Sequence, residues 1–158
     1  MPALDVARRN AEKQGVAPRI DFRAGDLCTP LGEERFDYVL CNPPYIDDAA
    51  WETVPTNVKA YEPPTALRGG PDGLQYVRPV VHEGGRHLRP GGQLLGEIAD
   101  GLAESVLALA AAAPGLVATR VLSDHEGLAR VVVADAAPAT PVRATASAHD
   151  PTATGFEG

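Results

Sequence analysis

The chain has 158 residues, 44% of them hydrophobic, which is enough for one respectable core, so a single domain is expected. Its formal net charge of −7 argues against tight, non-specific nucleic-acid binding, although a local basic patch stays open. The sequence shows neither a charged-then-apolar signal peptide nor an apolar run of about eighteen residues. The cytoplasm is therefore the expected location.

The cysteines and histidines do not form a metal-like pattern. Cys28 and Cys41 lie in unrelated local contexts, so we expect free thiols in a reducing compartment rather than a disulfide. The histidines are scattered without ligand spacing, which favours surface or capping roles for His82, His87, His125 and His149. No metal is expected.

The first part of the chain predicts one helix and two strands. Apolar residues recur at helical spacing, and a glycine is placed to cap that helix: Leu4, Ala7, Ala11 and Gly15. Apolar and charged residues alternate over residues 19–23, which is a strand pattern ending at Gly25-Asp26-Leu27. The hydrophobic run over residues 36–41 predicts a second, buried strand.

The later elements are predicted in the same way. Residues 46–73 are expected to be irregular because their prolines forbid a long helix. A loop that long beside a strand end is usually functional or disordered. After it we expect a helix within 74–88 weakened by Pro79, a strand over 93–98, a helix capped by Asp100, and two strands near 117–122 and 129–133 that could pair as a hairpin.

Helices between buried strands predict an α/β fold with a three-layer, mostly parallel sheet and an antiparallel pair at its end. After Asp135 the chain becomes rich in alanine, proline and threonine, with few large apolar residues. We therefore expect a domain over residues 1–135 and a disordered tail over residues 136–158.

The most informative motif is Asn42-Pro43-Pro44-Tyr45, which directly follows the second predicted strand. Ligands bind outside the carboxyl ends of strands in open α/β sheets. The asparagine offers a carbonyl acceptor, and prolines offer C=O groups but no N–H. Such an edge can hold a planar amino or amide group by its hydrogens, and the tyrosine adds an aromatic wall. The alternative is a plain turn made of turn-forming residues.

A longer series of motifs supports the functional interpretation and resembles one family. In order, the chain holds Arg8-Arg9-Asn10-Ala11-Glu12, Gly25-Asp26-Leu27, Phe36-Asp37 before Asn42-Pro43-Pro44-Tyr45-Ile46, Tyr61-Glu62-Pro63 with Ala66-Leu67, Gly70, Asp72-Gly73-Leu74, Leu88-Arg89-Pro90-Gly91-Gly92, Glu97-Ile98, and Asp124 with Gly127, Arg130 and Val131-Val132. Over about residues 2–134 this series is similar to the catalytic domain of the HemK/PrmC family. Those methyltransferases modify the glutamine of the Gly-Gly-Gln loop in peptide chain release factors.

The resemblance implies a class I, Rossmann-like fold that depends on S-adenosylmethionine, with release factors as the protein substrate. It implies no metal, no covalent nucleophile, no membrane and no direct nucleic-acid binding. Asn42 and the Pro43 carbonyl would hold the glutamine –NH₂, and Pro44 and Tyr45 would shape the pocket. Asn42 would also lie near the methionine end of the cofactor. Asp26 and Leu27 would lie along its adenine ring.

Two acidic residues are open to more than one interpretation. Glu62 could order a loop over the substrate, or it could be an exposed charge before a turn. Glu97 is similar, although a carboxylate at a strand end is somewhat more often functional.

The resemblance is incomplete at the start of the chain. Family catalytic domains open with a strand, a glycine-rich turn, a helix, and a second strand ending in an acidic residue for the cofactor ribose. Met1-Pro2-Ala3-Leu4 falls just after that acidic residue. We therefore expect a partial fold that lacks the first strand–helix–strand unit, with impaired transfer. The alternatives are a catalytically inactive fragment or binding module, and a nucleic-acid amino methyltransferase, which the acidic balance disfavours.

Overall fold

The computed structural model describes residues 3–139. The predicted tail over residues 136–158 lies outside this range except for its first residues, and β6 extends as far as Ala136. The helices are α1 (Ala3–Lys13), α2 (Asp48–Thr53), α3 (Thr56–Tyr61), α4 (Val77–Gly84) and α5 (Ala103–Ala112). The strands are β1 (Phe36–Cys41), β2 (Ile46–Asp47), β3 (Arg68–Gly70), β4 (Leu88–Glu97), β5 (Leu116–Ser123) and β6 (Ala129–Ala136).

The main sheet has four strands in the order β1, β4, β6, β5. β1 is parallel to β4, with Leu40 opposite Leu95 and Cys41 opposite Gly96. β6 is antiparallel to both β4 and β5, so the predicted hairpin is confirmed. The sequence predicted a mostly parallel sheet, and this prediction is wrong. The hairpin supplies two of the four strands, so the main sheet contains a single parallel pair. β2 and β3 form a separate small parallel sheet.

The core lies on one face of the main sheet, beneath α4 and α5. The most deeply buried large side chains of this core are Leu88, Leu94, Ile98, Val106 and Val132. Burying one such side chain contributes roughly 1.5–3 kcal/mol, so these residues are a principal source of stability. Gly84 permits the close approach of α4, since a Cβ at this position would stand 2.7 Å from Leu94 Cδ1.

The opposite face of the sheet is open at β1. Tyr38 is 62% exposed and Leu40 72% exposed, although both lie on a strand. Within residues 3–139, β1 pairs with β4 and its other edge has no partner strand. The predicted three-layer arrangement is therefore a two-layer one in the part of the chain that the structure describes.

The strand predicted over residues 19–23 is wrong. Residues 20–24 adopt no regular structure, and Ile20 is 43% exposed. Arg23 forms ion pairs with Asp21 and Glu34, and the Arg8 guanidinium stacks over Phe22. Alternation of apolar and charged residues favours an extended chain, but a strand also needs a hydrogen-bonding neighbour.

The first helix and its cap are confirmed. Apolar positions of α1 face inward at Ala11, and Gly15 follows the helix with φ +68°. The N–H of Gly15 donates to the carbonyl of Glu12, and that of Val16 donates to the carbonyl of Ala11. A left-handed glycine that closes the last turn is a common helix terminus.

Later element boundaries differ from the prediction for identifiable reasons. β4 begins at Leu88 rather than residue 93. Its pairing with β1 shifts register between Phe36 and Tyr38, and this irregularity accommodates Gly91 of β4, which has φ +79°. α4 tolerates Pro79 because the proline lies in its first turn, where no helical N–H is lost. Asp100 does not cap the helix through its side chain: its Oδ1 accepts from the N–H of Ala129 at 2.7 Å.

The segment over residues 46–73 is more ordered than predicted. It holds two short helices and the small sheet of β2 and β3. Asp47 caps α2 by accepting from the N–H of Ala50 at 2.7 Å. The absence of a long helix agrees with the prolines, but the pairing of β2 with β3 joins residues about twenty positions apart and has no local signal.

Candidate active site

The candidate site lies at the carboxyl ends of β1 and β4. Cys41 and Gly96 are opposite one another in these parallel strands, so Asn42, the first residue after β1, and Glu97, the last residue of β4, lie side by side at this edge. The predicted motif therefore lies at the edge where ligands bind in open α/β sheets.

Asn42-Pro43-Pro44-Tyr45 lines a small cavity of about 150 Å³. Pro43 is buried, Pro44 and Tyr45 are half-buried, and Asn42 is exposed at the rim. The remaining lining residues are Ile46, Ala66, Leu67 and Glu97. Because neither proline has an N–H, this part of the wall offers hydrogen-bond acceptors from its backbone and no donors.

Tyr45 is held by Glu97. The Tyr45 hydroxyl donates to Oε1 of Glu97 at 3.0 Å. Burial, and then this hydrogen bond and the charge of Glu97, raise the pKa of Tyr45, while the nearby Arg130 opposes the rise. The tyrosine is therefore a neutral donor at neutral pH, and its ring is tied to the end of β4.

The glycine-rich chain around β3 packs directly on the motif. A Cβ at Gly69 would stand 2.7 Å from the Tyr45 Cα, and a Cβ at Gly73 would stand 2.5 Å from the Tyr45 carbonyl oxygen. The N–H of Ile46 donates to the Leu67 carbonyl at 3.0 Å. These contacts fix the back of the pocket. The series of motifs that carries the family resemblance included Leu67 and Gly73, but nothing in the sequence marked Gly69 as part of the site.

A second, more open cavity of about 410 Å³ lies beside the first, towards the open face of the sheet. Leu40, Leu95 and Val131 give it apolar walls. Cys41, Asn42 and Glu97 complete the lining, and Asn42 and Glu97 are shared with the smaller cavity. The two cavities therefore meet at these two side chains.

Asp26 and Leu27, the other predicted site residues, line neither of these cavities. They lie in a turn in which the Thr29 hydroxyl donates to the Asp26 carbonyl at 2.7 Å, and Leu27 has a left-handed φ of +48°. Burial, and then the charge of the neighbouring Cys28 thiol in this turn, raise the pKa of Cys41 at the end of β1 to about 11. This turn is thus close to β1 without joining the cavity.

The loop residues Tyr61 and Glu62 lie away from the motif's cavity lining. Tyr61 is 87% exposed, and the Glu62 N–H caps α3 by donating to the Val58 carbonyl. Nearby, the cations of Lys59 and Arg68 each lie 5.4 Å from the ring centroid of Trp51. The exposed-charge interpretation of Glu62 agrees with this placement, while its role over a substrate stays a prediction.

Residues 3–139 contain no group of three or more histidine, cysteine, aspartate or glutamate side chains that could hold a metal ion. In the same range, each helix is too short or too polar to cross a bilayer.

Comparison with known proteins identifies the class. Residues 1–61 match the family model "Methyltransferase small domain". A solved structure titled as a methyltransferase from Pyrococcus furiosus superposes with a TM-score of 0.55 and 16% identity, covering 85% of this chain and 57% of that one. The chain thus has the class I fold of S-adenosylmethionine-dependent methyltransferases, in partial form.

Proteins similar in sequence narrow the class of methyltransferase further. Proteins named release factor glutamine methyltransferase from Geobacter sulfurreducens and Gloeobacter violaceus are 41% and 39% identical over 130 and 131 residues, which is 82% and 83% of this chain but 45% and 46% of theirs. A Bradyrhizobium diazoefficiens protein named ribosomal protein uL3 glutamine methyltransferase is 41% identical over 99 residues, covering 63% of this chain and 31% of its own length.

These relatives confirm the resemblance to the HemK/PrmC family: over about four fifths of its length, the chain is homologous to the release factor glutamine methyltransferases. The chain spans about half the length of the curated relatives it matches.

Proposed function

We propose that this chain is the substrate-binding half of an S-adenosylmethionine-dependent methyltransferase. Its substrate would be the side-chain amide nitrogen of the glutamine in the Gly-Gly-Gln motif of peptide chain release factors. The observation that carries the proposal is the small cavity in which Pro43 and Pro44 offer backbone acceptors and no N–H, placed at the ends of parallel strands beside a second cavity. The proposed substrate acts in translation termination, and a cytoplasmic location follows with it.

The amide pocket would work by positioning. An amide nitrogen is a weak nucleophile because its lone pair is delocalised, so it must be held and aimed. Asn42 Oδ1 and the Pro43 carbonyl would each accept one N–H, while Pro44 and Tyr45 would restrict where the amide plane lies. Fixing a reactant in near-attack geometry can lower an activation barrier by several kcal/mol, at most by roughly 7–11 kcal/mol.

The lining of the larger cavity has the polarity that the methionine part of the cofactor needs. Its apolar walls, Leu40, Leu95 and Val131, suit an alkyl chain, and Asn42 and Glu97 give it a polar end. S-adenosylmethionine, when bound, supplies an electrophilic methyl group. Asn42 would bind both partners because it lines both cavities. For Asp26 and Leu27, the proximity of Cys28 to β1 supports a place beside the cofactor, on the adenine side.

In a direct displacement the amide nitrogen itself is the nucleophile, and the protein contributes its orientation. The pocket needs no covalent nucleophile for this. One amide proton must leave after transfer, and the exposed rim at Asn42 gives it access to water.

A chimera tests the proposal. This chain would replace the matched 130-residue region of the G. sulfurreducens relative, with the remainder of that protein kept in its own order. We expect the chimera to methylate the glutamine of a purified release factor, detected as a 14-dalton mass increase on the Gly-Gly-Gln peptide. The intact relative is the positive control.

The same assay separates the alternative functions. The similarity to the uL3 methyltransferase makes the glutamine of ribosomal protein uL3 a second candidate substrate, so it is assayed in parallel. Methylation of a DNA oligonucleotide alone would favour the nucleic-acid alternative. An inactive chimera beside an active control would favour the inactive fragment or binding module and would refute the proposal.

A further inference from the structure

We propose that Glu97 is a positioning residue for the methyl transfer. Glu97 lies where the two cavities meet, and it holds the Tyr45 ring in place as a wall of the amide pocket. The inference rests on the proposed function, because it assigns a role within the same site. It adds a residue on a different strand from the motif itself.

The first support is the backbone register. β1 and β4 are parallel, and Cys41 lies opposite Gly96. Side chains opposite one another in adjacent strands point to the same face of a sheet. Glu97 is the last residue of β4 and Asn42 is the first residue after β1, and both side chains line the larger cavity. This places a carboxylate beside the proposed amide ligand without any loop in between.

The second support is the direct contact. The chain turns at Pro43 and Pro44 and returns Tyr45 towards the end of β4, where its hydroxyl donates to Glu97 Oε1 at 3.0 Å. A tyrosine side chain has two rotatable χ angles, and a hydrogen bond at its far end restrains both. Among residues 3–139, the second oxygen of Glu97, Oε2, makes no hydrogen bond, so Tyr45 is the group that Glu97 holds.

The third support is the place of Glu97 between the cavities. Of the residues that line the smaller cavity, Asn42 and Glu97 also line the larger one. The amide and the methyl group would have to meet at this junction. A ring that turned away from Glu97 would widen the amide pocket at the point where orientation matters most.

The activity test uses the chimera carrying Tyr45→Phe, Glu97→Ala, Glu97→Gln, or the Phe and Ala changes together. We expect Tyr45→Phe and Glu97→Ala each to lower kcat about 10- to 100-fold, in the range that a misplaced reactant costs. For Tyr45→Phe, cofactor affinity should change by less than about threefold, because Tyr45 does not line the larger cavity. The double variant should be no slower than either single variant, because both remove the same contact.

The Glu97→Gln variant separates positioning from charge. Its amide oxygen can still accept from the Tyr45 hydroxyl, so we expect most of the activity to remain. Tyr38→Phe is the matched control: Tyr38 is 62% exposed, and its hydroxyl makes no hydrogen bond within residues 3–139, so its removal should leave kcat unchanged. Additive losses in the double variant, or a Gln variant as slow as the Ala variant, would overturn the inference.

A second measurement does not depend on catalysis. In the full 158-residue chain, the phenol absorbance of Tyr45, taken as the difference between the parent and Tyr45→Phe, can be titrated between pH 8 and 11. Glu97→Ala should move its midpoint down towards the ordinary value near 10, because the acceptor and its negative charge are lost while Arg130 stays. An unmoved midpoint would show that Glu97 does not hold Tyr45.

The two readouts distinguish the possible failures. A chimera inactive on every substrate refutes the proposed function and the role of Glu97 in it, even where the titration shows the contact. An active chimera with unaffected Tyr45→Phe and Glu97→Ala variants refutes only the inference about Glu97.

Discussion

Gly69 lies so close to the backbone of Tyr45 that a side chain at Gly69 has no room. An added Cβ would stand 2.7 Å from the Tyr45 Cα and 2.8 Å from the Gly73 Cα. Both neighbours are backbone atoms, which cannot turn away as the end of a flexible side chain can. The pocket wall and the glycine-rich chain behind it must therefore move together.

We accordingly predict that Gly69→Ala destabilises the chain by about 1–3 kcal/mol, the usual cost of overpacking. The measurement is the urea midpoint of unfolding. Gly101→Ala is the matched control, since a Cβ at Gly101 would meet nothing within 4 Å, and we expect a change of less than about 0.5 kcal/mol. Equal midpoints for the two variants would mean that the loop does not press on Tyr45.

Asn42→Ala in the chimera should reduce methyl transfer at least about 100-fold, the loss typical when a well-placed polar group is removed from a site. Cofactor affinity, measured by calorimetry, should fall much less, because the apolar walls of the larger cavity remain. Asn57→Ala, an exposed asparagine of α3, is the control and should leave the rate unchanged. A full rate for Asn42→Ala would remove Asn42 from the mechanism.

Asp124 should make stability depend on acid pH. Its hydrogen bond with Arg130, followed by those from the Leu128 and Glu126 N–H groups, lowers the pKa of this carboxyl. The unfolded chain has the ordinary value near 3.9, so the unfolded state takes up the proton first. The contribution of Asp124 is therefore full above about pH 4 and is lost as the pH falls through the lower, folded value.

The check is the thermal midpoint followed from pH 6 down to pH 2. Asp124→Asn keeps an acceptor for the two N–H groups but loses the charge, so its midpoint should fall less steeply than that of the parent. Arg130→Ala should flatten the curve in the same way. The pKa of Asp72 is also lowered, mainly by its hydrogen bond with Arg78. Asp72 therefore adds a similar fall of the thermal midpoint at acid pH, and both variants retain it. Parallel curves for parent and Asp124→Asn would contradict the assignment.

The open edge of β1 predicts self-association of the isolated chain. Unpaired strand edges with exposed apolar side chains pair with further strands, and Tyr38 and Leu40 are both strongly exposed here. We expect sedimentation to show concentration-dependent dimers, and Tyr38→Lys to weaken them about tenfold, which corresponds to about 1.4 kcal/mol. Val6→Lys on α1, where Val6 is 38% exposed, is the control. An equal effect of both lysines would indicate non-specific association.

Local patterns in the sequence predicted some of these elements well. The run over residues 36–41 is β1 with the same bounds, and the helix before Gly15 is α1, because periodicity and capping are written in neighbouring residues. The motif that follows β1 is also where the sequence places it, at a strand end. Both depend on interactions within a few residues.

The errors share one cause, which is pairing between distant residues. Residues 20–23 have the alternation of a strand but no neighbouring strand to bond with. Asp100 is well placed in sequence to cap α5, yet its carboxylate bonds to the N–H of Ala129, across the fold. For the same reason, the contact of Gly69 with Tyr45 could not be found by reading along the chain.

The acceptor-only wall at Pro43 and Pro44 also implies a chemical filter. A glutamate carboxylate has the shape of a glutamine amide but no N–H to donate, and its negative charge would face carbonyl oxygens and the carboxylate of Glu97 across a cavity of about 150 Å³. If the proposed function holds, a release factor whose glutamine had deamidated would be rejected before methyl transfer. The pocket would then discriminate between glutamine and glutamate as well as position the amide.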